Sequence, residues 1–207
     1  MRTRQIIGLV LLLLLSSCAI FQIDKFQQEQ NLLSEAKLWQ DFRIDGIIKI
    51  TDQGFNLIKD ITITRNEQQV KVTLYDTGLF GLSPQPFASL VITDSIFINI
   101  PSLDNPFQYE QINSLIAGLQ ILKNGIFDQQ EMNKMLLEII KTREYNTAEQ
   151  TLKFNQKMQL ISFALPGQQI ELRFLREYNL QPEKIEIFYQ NKIAVIIEVD
   201  KFTCKDI

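Results

Sequence analysis

From Phe42 onward, apolar and polar residues alternate with a period of two, the mark of strands that are dry on one face and wet on the other. In FRIDGIIKI, Phe42, Ile44, Ile48 and Ile50 share a face with Gly46, opposite Arg43, Asp45 and Lys49. LIKDITITRN sets Leu57, Ile61 and Ile63 against Asp60, Thr62 and Thr64, and QVKVTLYD sets Val70, Val72 and Leu74 against Lys71, Thr73 and Tyr75. FASLVIT and SIFINI follow, split by Thr93-Asp94, so this block predicts a meander of five antiparallel strands joined by short connections. Between the third and fourth, YDTGLFGLSP places Leu79 and Phe80 between two glycines at the tip of a turn.

The period then becomes helical. Ile112, Leu115, Ile116, Leu119 and Leu122 form one stripe, stopped by Asn124-Gly125. A second helix is predicted from Asp128, with Glu131 reaching back in a variant of the capping box and a stripe of Met132, Met135, Leu136, Ile139 and Ile140. Strands return in TLKFNQ, MQLISFA, QQIELRFLRE, EKIEIFYQ and KIAVIIEVDKF, with hairpin turns at PGQQ and YQNKI and a longer one at NLQPE. The whole predicts an α+β, mainly β fold: a strongly curved antiparallel half-barrel, an unclosed β-barrel of about ten strands, wrapped around two helices. Ile161 and Phe163 opposite Met158 and Leu160 suggest that part of the sheet is covered on both sides. Both helical stripes can simply cover the open face of the sheet. Alternatively, some of these residues, with the methionines as adaptable fillers, line a cavity for a lipid chain.

The first residues set the context. Arg2 and Arg4 precede an apolar run from Ile6 to Leu15, far shorter than the roughly 20 residues a spanning helix needs. This reads as a signal peptide over residues 1–17. It ends in Leu15-Ser16-Ser17-Cys18, which looks like the lipobox of bacterial lipoproteins, where the cysteine is acylated and becomes the first mature residue. Two or three acyl chains, at about 0.8 kcal/mol per buried methylene, form a stable anchor where one does not. Ala19 stands where an aspartate would resemble the inner-membrane retention signal, which favours the outer membrane, facing the periplasm. Residues 18–31, rich in Gln and charge, read as the lipidated N-terminus and a tether or a fraying helix start. Residues 32–207 read as a single domain with a substantial core.

Composition removes whole classes of activity. The net charge is −3, from 21 basic and 24 acidic residues with no dense basic cluster, which argues against nucleic acid. The absence of histidine excludes the commonest general base, the commonest zinc ligand and any Ser/His/Asp or Cys/His triad. Asp24, Asp41, Asp45, Asp52 and Asp60 are scattered beside strand and turn signals, and no phosphate loop, CxxC or calcium-loop spacing occurs. No enzyme, cofactor or metal is expected. With Cys18 acylated, Cys204 is a free thiol or an intermolecular pairing site.

Three stretches carry a resemblance to the LolA/LolB-like lipoprotein carriers and receptors: WQDFRIDGIIKITDQ, like the first strand of LolB-like proteins; VKVTLYDTGLFG, like their strand and membrane-directed loop; and IEIFYQNKIAVIIEVDKF, like their closing hairpin. Where that family has an Asn-Pro-Leu-Gly type loop, this chain has Asp76-Thr77-Gly78-Leu79. The resemblance implies an unclosed barrel with helices as a lid over a hydrophobic cavity. It also implies an acyl chain or lipoprotein client, delivery by a periplasmic LolA-like carrier, and a loop in which Leu79 and Phe80 engage the bilayer. Candidate cavity-lining residues are Ile44, Ile48, Leu57, Ile61, Val72, Leu74, Leu115, Leu119, Met132, Met135, Leu136 and Ile139. Two alternatives stay open: the loop folds back, with Phe80 and Leu82 closing the barrel end, or the fold serves as an interaction or assembly subunit with a filled core.

Overall fold

The computed structural model describes residues 25–52, 55–66, 69–76, 85–99, 110–127, 132–177 and 180–204. A helix, α1 (25–38), leads into five strands: β1 (Phe42–Asp52), β2 (Phe55–Asn66), β3 (Gln69–Asp76), β4 (Gln85–Ile92) and β5 (Ile96–Asn99). Two helices follow, α2 (Glu110–Asn124) and α3 (Met132–Thr142). The second block holds β6 (Glu144–Asn146), β7 (Thr151–Phe154), β8 (Leu160–Leu165), β9 (Ile170–Leu175), β10 (Lys184–Tyr189) and β11 (Lys192–Cys204). The eleven strands of the described residues form one antiparallel sheet in the order β5-β4-β3-β2-β1-β11-β10-β9-β8-β7-β6, with β5 and β6 as its two ends. The eleventh strand beyond the expected ten is β6. At three residues it is too short for alternation to show, and only Tyr145 turns inward.

Two meanders are therefore joined back to front through the β1–β11 pair, which brings the first strand of the chain against the last. The alternation read from the sequence is the inward face: Phe42, Ile44, Ile48 and Ile50 pair with Cys204, Phe202, Ile197 and Val195, and Gly46 pairs with Val199. Curvature has a local cause. The register shifts in the β1–β11, β10–β11, β3–β4 and β7–β8 pairs each add one unpaired residue, and such bulges bend a strand and steepen its twist.

The bulge in β8 corrects one expectation. Leu152 pairs with Phe163 and Phe154 with Leu160, leaving Ile161 as the extra residue. Leu160 and Phe163 both reach the interior, while Ile161 is exposed. The mixed faces of this segment come from that inserted residue, and no second covering layer is needed.

The sheet curls around α2. This helix touches β2, β3 and β4 on one side and β9, β10 and β11 on the other, which only a helix lying in the concave face can do. Gly118 permits the approach: a Cβ there would stand 3.3 Å from both Ile187 Cδ1 and Ile187 Cγ2. The helix stops at Gly125, whose φ of 86° suits glycine, and Arg65 donates to the terminal carbonyls of Leu122 (2.5 Å) and Lys123 (3.4 Å). Helix α3 packs beside β6 through Met135, Leu136 and Ile139; its expected cap at Asp128 and Glu131 lies outside the described residues.

Of the two readings open for the N-terminal segment, residues 25–31 take the helical one and run without a break into the domain. Leu32, Ala36 and Leu38 anchor α1, and Trp39 plugs one end of the half-barrel. Its ring meets Phe42 at 5.5 Å and Phe202 at 5.6 Å, both edge-on, and Phe174 at 4.7 Å. Both short turns form as expected: a 3-10 turn over Pro166–Gln168, and a two-residue turn with Gln190 and Asn191 at positive φ, the geometry that matches the twist of a hairpin.

Candidate functional site

Strand pairing brings the candidate apolar residues to one place. Ile44 and Ile48 on β1, Ile61 on β2, Val72 and Leu74 on β3, Leu119 on α2, and Met135, Leu136 and Ile139 on α3 are all buried in one continuous cluster. Leu57 and Met132 pack against it half-buried. The side chain of Leu115, and Cys18, Leu79 and Phe80, lie outside the described residues.

The interior is wider than those positions. The second meander contributes as much, through Leu160, Phe163, Leu172, Phe174, Ile185, Ile187, Val195 and Ile197. The signal for them was present as alternation in the last five strands, but their inward orientation depends on bulges that periodicity does not show. Among the described residues the side chains of the concave face pack against one another: Ile44, Ile48, Met135 and Leu160 are at 0% exposure.

Among the described residues Glu35, Gln159 and Ser162 are buried polar side chains, and Glu35 reaches deepest into the packing. Glu35, on the buried face of α1, accepts from Trp39 Nε1 (2.8 Å), the Leu160 backbone N–H (3.2 Å), and Arg176 Nη1 (2.8 Å) and Nη2 (2.5 Å). Arg176 also donates to the Leu180 carbonyl. The sequence carries a signal for this: in LLSEAKLW, Glu35 falls on the same helical face as Leu32, Leu38 and Trp39. A carboxylate with its lone pairs so fully engaged holds α1 to β8 and to the β9–β10 connection.

Other chemistry is sparse among the described residues. No cluster of three or more His, Cys, Asp or Glu side chains could hold a metal ion. Cys204 is a free thiol facing the Leu38 carbonyl at 3.7 Å. Burial, and secondarily the negative charge of Glu35, push its pKa above the ordinary thiol value. No described helix is long and apolar enough to cross a membrane.

A groove of about 560 Å³ lies where the sheet fails to close. The β4–β5 turn forms one wall, the β6–β7 turn and the 3-10 turn form the other, and the C-terminal half of α2 lies between them. Sequence reasoning did not find it, because its walls come from turns far apart in the chain.

No protein-family model matches the sequence, and no curated protein matches it. Among solved structures, the chain is similar to an outer membrane lipoprotein-sorting protein domain from Vibrio parahaemolyticus, with a TM-score of 0.36 and 6% identity over 86% of this chain and 91% of that one. A likeness at that TM-score adds nothing to the strand order and contacts described above.

Proposed function

We propose that this chain is a lipid-anchored, non-enzymatic protein of the bacterial envelope that takes an acyl chain or a lipoprotein into its apolar interior and passes it to, or holds it at, the outer membrane. One observation carries the reading: a helix, α2, lies in the concave face of an unclosed sheet with apolar side chains on every side of it. The LSSC sequence ending at Cys18, followed by Ala19, supports the anchor and its membrane.

The residues that would line the cavity are packed against one another, so an entering chain must displace α2 or α3. That exchange is physically mild, because apolar contacts to the helix are replaced by apolar contacts to the ligand. The driving force is removal of the acyl chain from water, about 0.8 kcal/mol per methylene. Opening is favoured at α2, where Gly118 puts no side chain into the sheet to lock the helix, while the Arg65 contacts hold its C-terminal end as a pivot.

The tight packing also favours a second reading, an envelope lipoprotein that serves as an interaction or assembly subunit with a filled core. Native mass spectrometry of the domain lacking residues 1–18, purified without detergent and followed by organic extraction, separates the two. A co-purifying lipid or acylated peptide supports the carrier or receptor reading. A bare mass that also rejects added fatty acid overturns it in favour of the interaction subunit.

A further inference from the structure

We infer that the groove at the open seam of the sheet is a second site, separate from the apolar interior, which binds an extended peptide segment carrying a basic residue. Its volume of about 560 Å³ falls within the roughly 300–1,000 Å³ usual for ligand sites. The chemistry of its lining narrows the occupant.

Most of the apolar side chains beneath it are already covered: Ile92 is 1% exposed, Ile121 4% and Phe163 2%, with only Ala117 and Leu165 half-buried. An acyl chain would find little apolar surface there to bury. A sugar would find no exposed ring to stack on, since the one aromatic side chain of the lining is Phe163. The rim is polar, with the side-chain amides of Gln120, Gln150 and Gln168 around the opening and no hydrogen bond from any of them to the described residues. Each primary amide offers a donor and an acceptor together, the complement of the N–H and C=O groups that an extended backbone presents.

Charge adds the remaining element. Asp94 is held by Lys123 at 3.1 Å, whereas Glu149 enters no ion pair among the described residues. The rim therefore carries one uncompensated negative charge, which favours a lysine or arginine on the peptide.

The test uses the whole mature chain against a phage-displayed library of random heptapeptides, with enriched sequences synthesised and titrated by fluorescence anisotropy. Basic residues should be enriched. Replacing Gln120, Gln150 and Gln168 together by Ala should weaken binding by about ten-fold or more, because several hydrogen bonds are lost. Glu149→Gln should weaken it about three-fold and flatten its salt dependence. Glu149 and Gln168 are exposed and Gln120 and Gln150 half-buried, and a thermal melt checks that each variant folds. Peptide should also shift the side-chain amide resonances of the three glutamines in a ¹⁵N-labelled sample. No enrichment, equal binding to the triple variant, or amides that move with oleate and not with peptide would overturn the inference. A chain that binds peptide but rejects fatty acid leaves it standing and removes only the acyl-carrier reading.

Discussion

The guanidinium of Arg176 meets the carboxylate of Glu35 at 2.5 Å, with 3% of either side chain exposed. The pair joins α1 to the β9–β10 connection across 141 residues of sequence. Breaking such a pair from one side leaves an uncompensated buried charge, which typically costs about 3–5 kcal/mol. Arg176→Met should therefore lower the urea denaturation midpoint far more than Arg173→Met, whose guanidinium pairs with Glu171 at the exposed surface. Equal small shifts for the two variants would mean that the Glu35 pair is solvated.

Gly46 tests the β1–β11 junction. A Cβ at this position would stand 2.0 Å from the Glu198 carbonyl oxygen, a backbone atom that cannot rotate away. Gly46→Ala should destabilise by about 2 kcal/mol or more, since the strands must part to admit a methyl group. Gly118→Ala is the contrasting case. Its Cβ would meet Ile187 at 3.3 Å, a flexible side chain, and the roughly 1 kcal/mol of helix propensity gained should leave that variant near wild-type stability. A melt in which Gly46→Ala is neutral would contradict the close approach of the two backbones.

Acid should weaken the outer face of the sheet in a defined window. Hydrogen bonds from Arg43 chiefly, and also from Thr62, hold the Asp45 carboxyl below the usual carboxylate range against the opposing effect of burial. Arg173 chiefly, and also Ser162, do the same for Glu171. A depressed folded-state pKa contributes stability that is present above the unfolded value, about 4, and is lost as pH falls through the folded one. The denaturation midpoint should be flat from pH 8 to 5 and decline below about pH 4. Both pairs are partly exposed, so each contributes about 0.5 kcal/mol or less. The Asp45→Asn, Glu171→Gln double variant should show a shallower decline, and an unchanged slope would assign the acid sensitivity to other groups.

The half-barrel was legible because its strands obey one rule, a period of two with a dry inner face, and each of the ten strands that follow the rule is present. What escaped are the places where the chain leaves it. Ile161 looks like an inward residue until the bulge makes it the unpaired one. Glu144–Asn146 is too short to have a period, and a neighbouring strand and α3 support it in place of its own pattern. Glu35 shares a helical face with Leu32 and Trp39, but its partner Arg176 lies 141 residues away, where no local pattern points to it. The candidate interior was half legible for the same reason: local alternation identifies an inner face, while the surfaces meeting across it depend on how far bulges curl the sheet.

The last prediction concerns Leu79 and Phe80, which fall between β3 and β4, outside the described residues. The flanking residues are informative. Asp76 pairs with Gln85 across β3 and β4, and Tyr75 pairs with Asp60, so these strands finish at the end of the sheet where β1 turns into β2. Trp39 closes the opposite end, where Phe42 pairs with Cys204. A leucine or phenylalanine removed from water there would gain about 1.5–3 kcal/mol each, and a bilayer offers that environment. Leu79→Glu removes one such contribution and places a charge at the lipid surface. It should reduce transfer of an acylated lipoprotein to liposomes by about ten-fold or more, with the denaturation midpoint unchanged. Unaltered transfer by a folded Leu79→Glu protein would mean that the loop folds back against the barrel end, and the proposed membrane engagement would then rest on the proposed acylation of Cys18 alone.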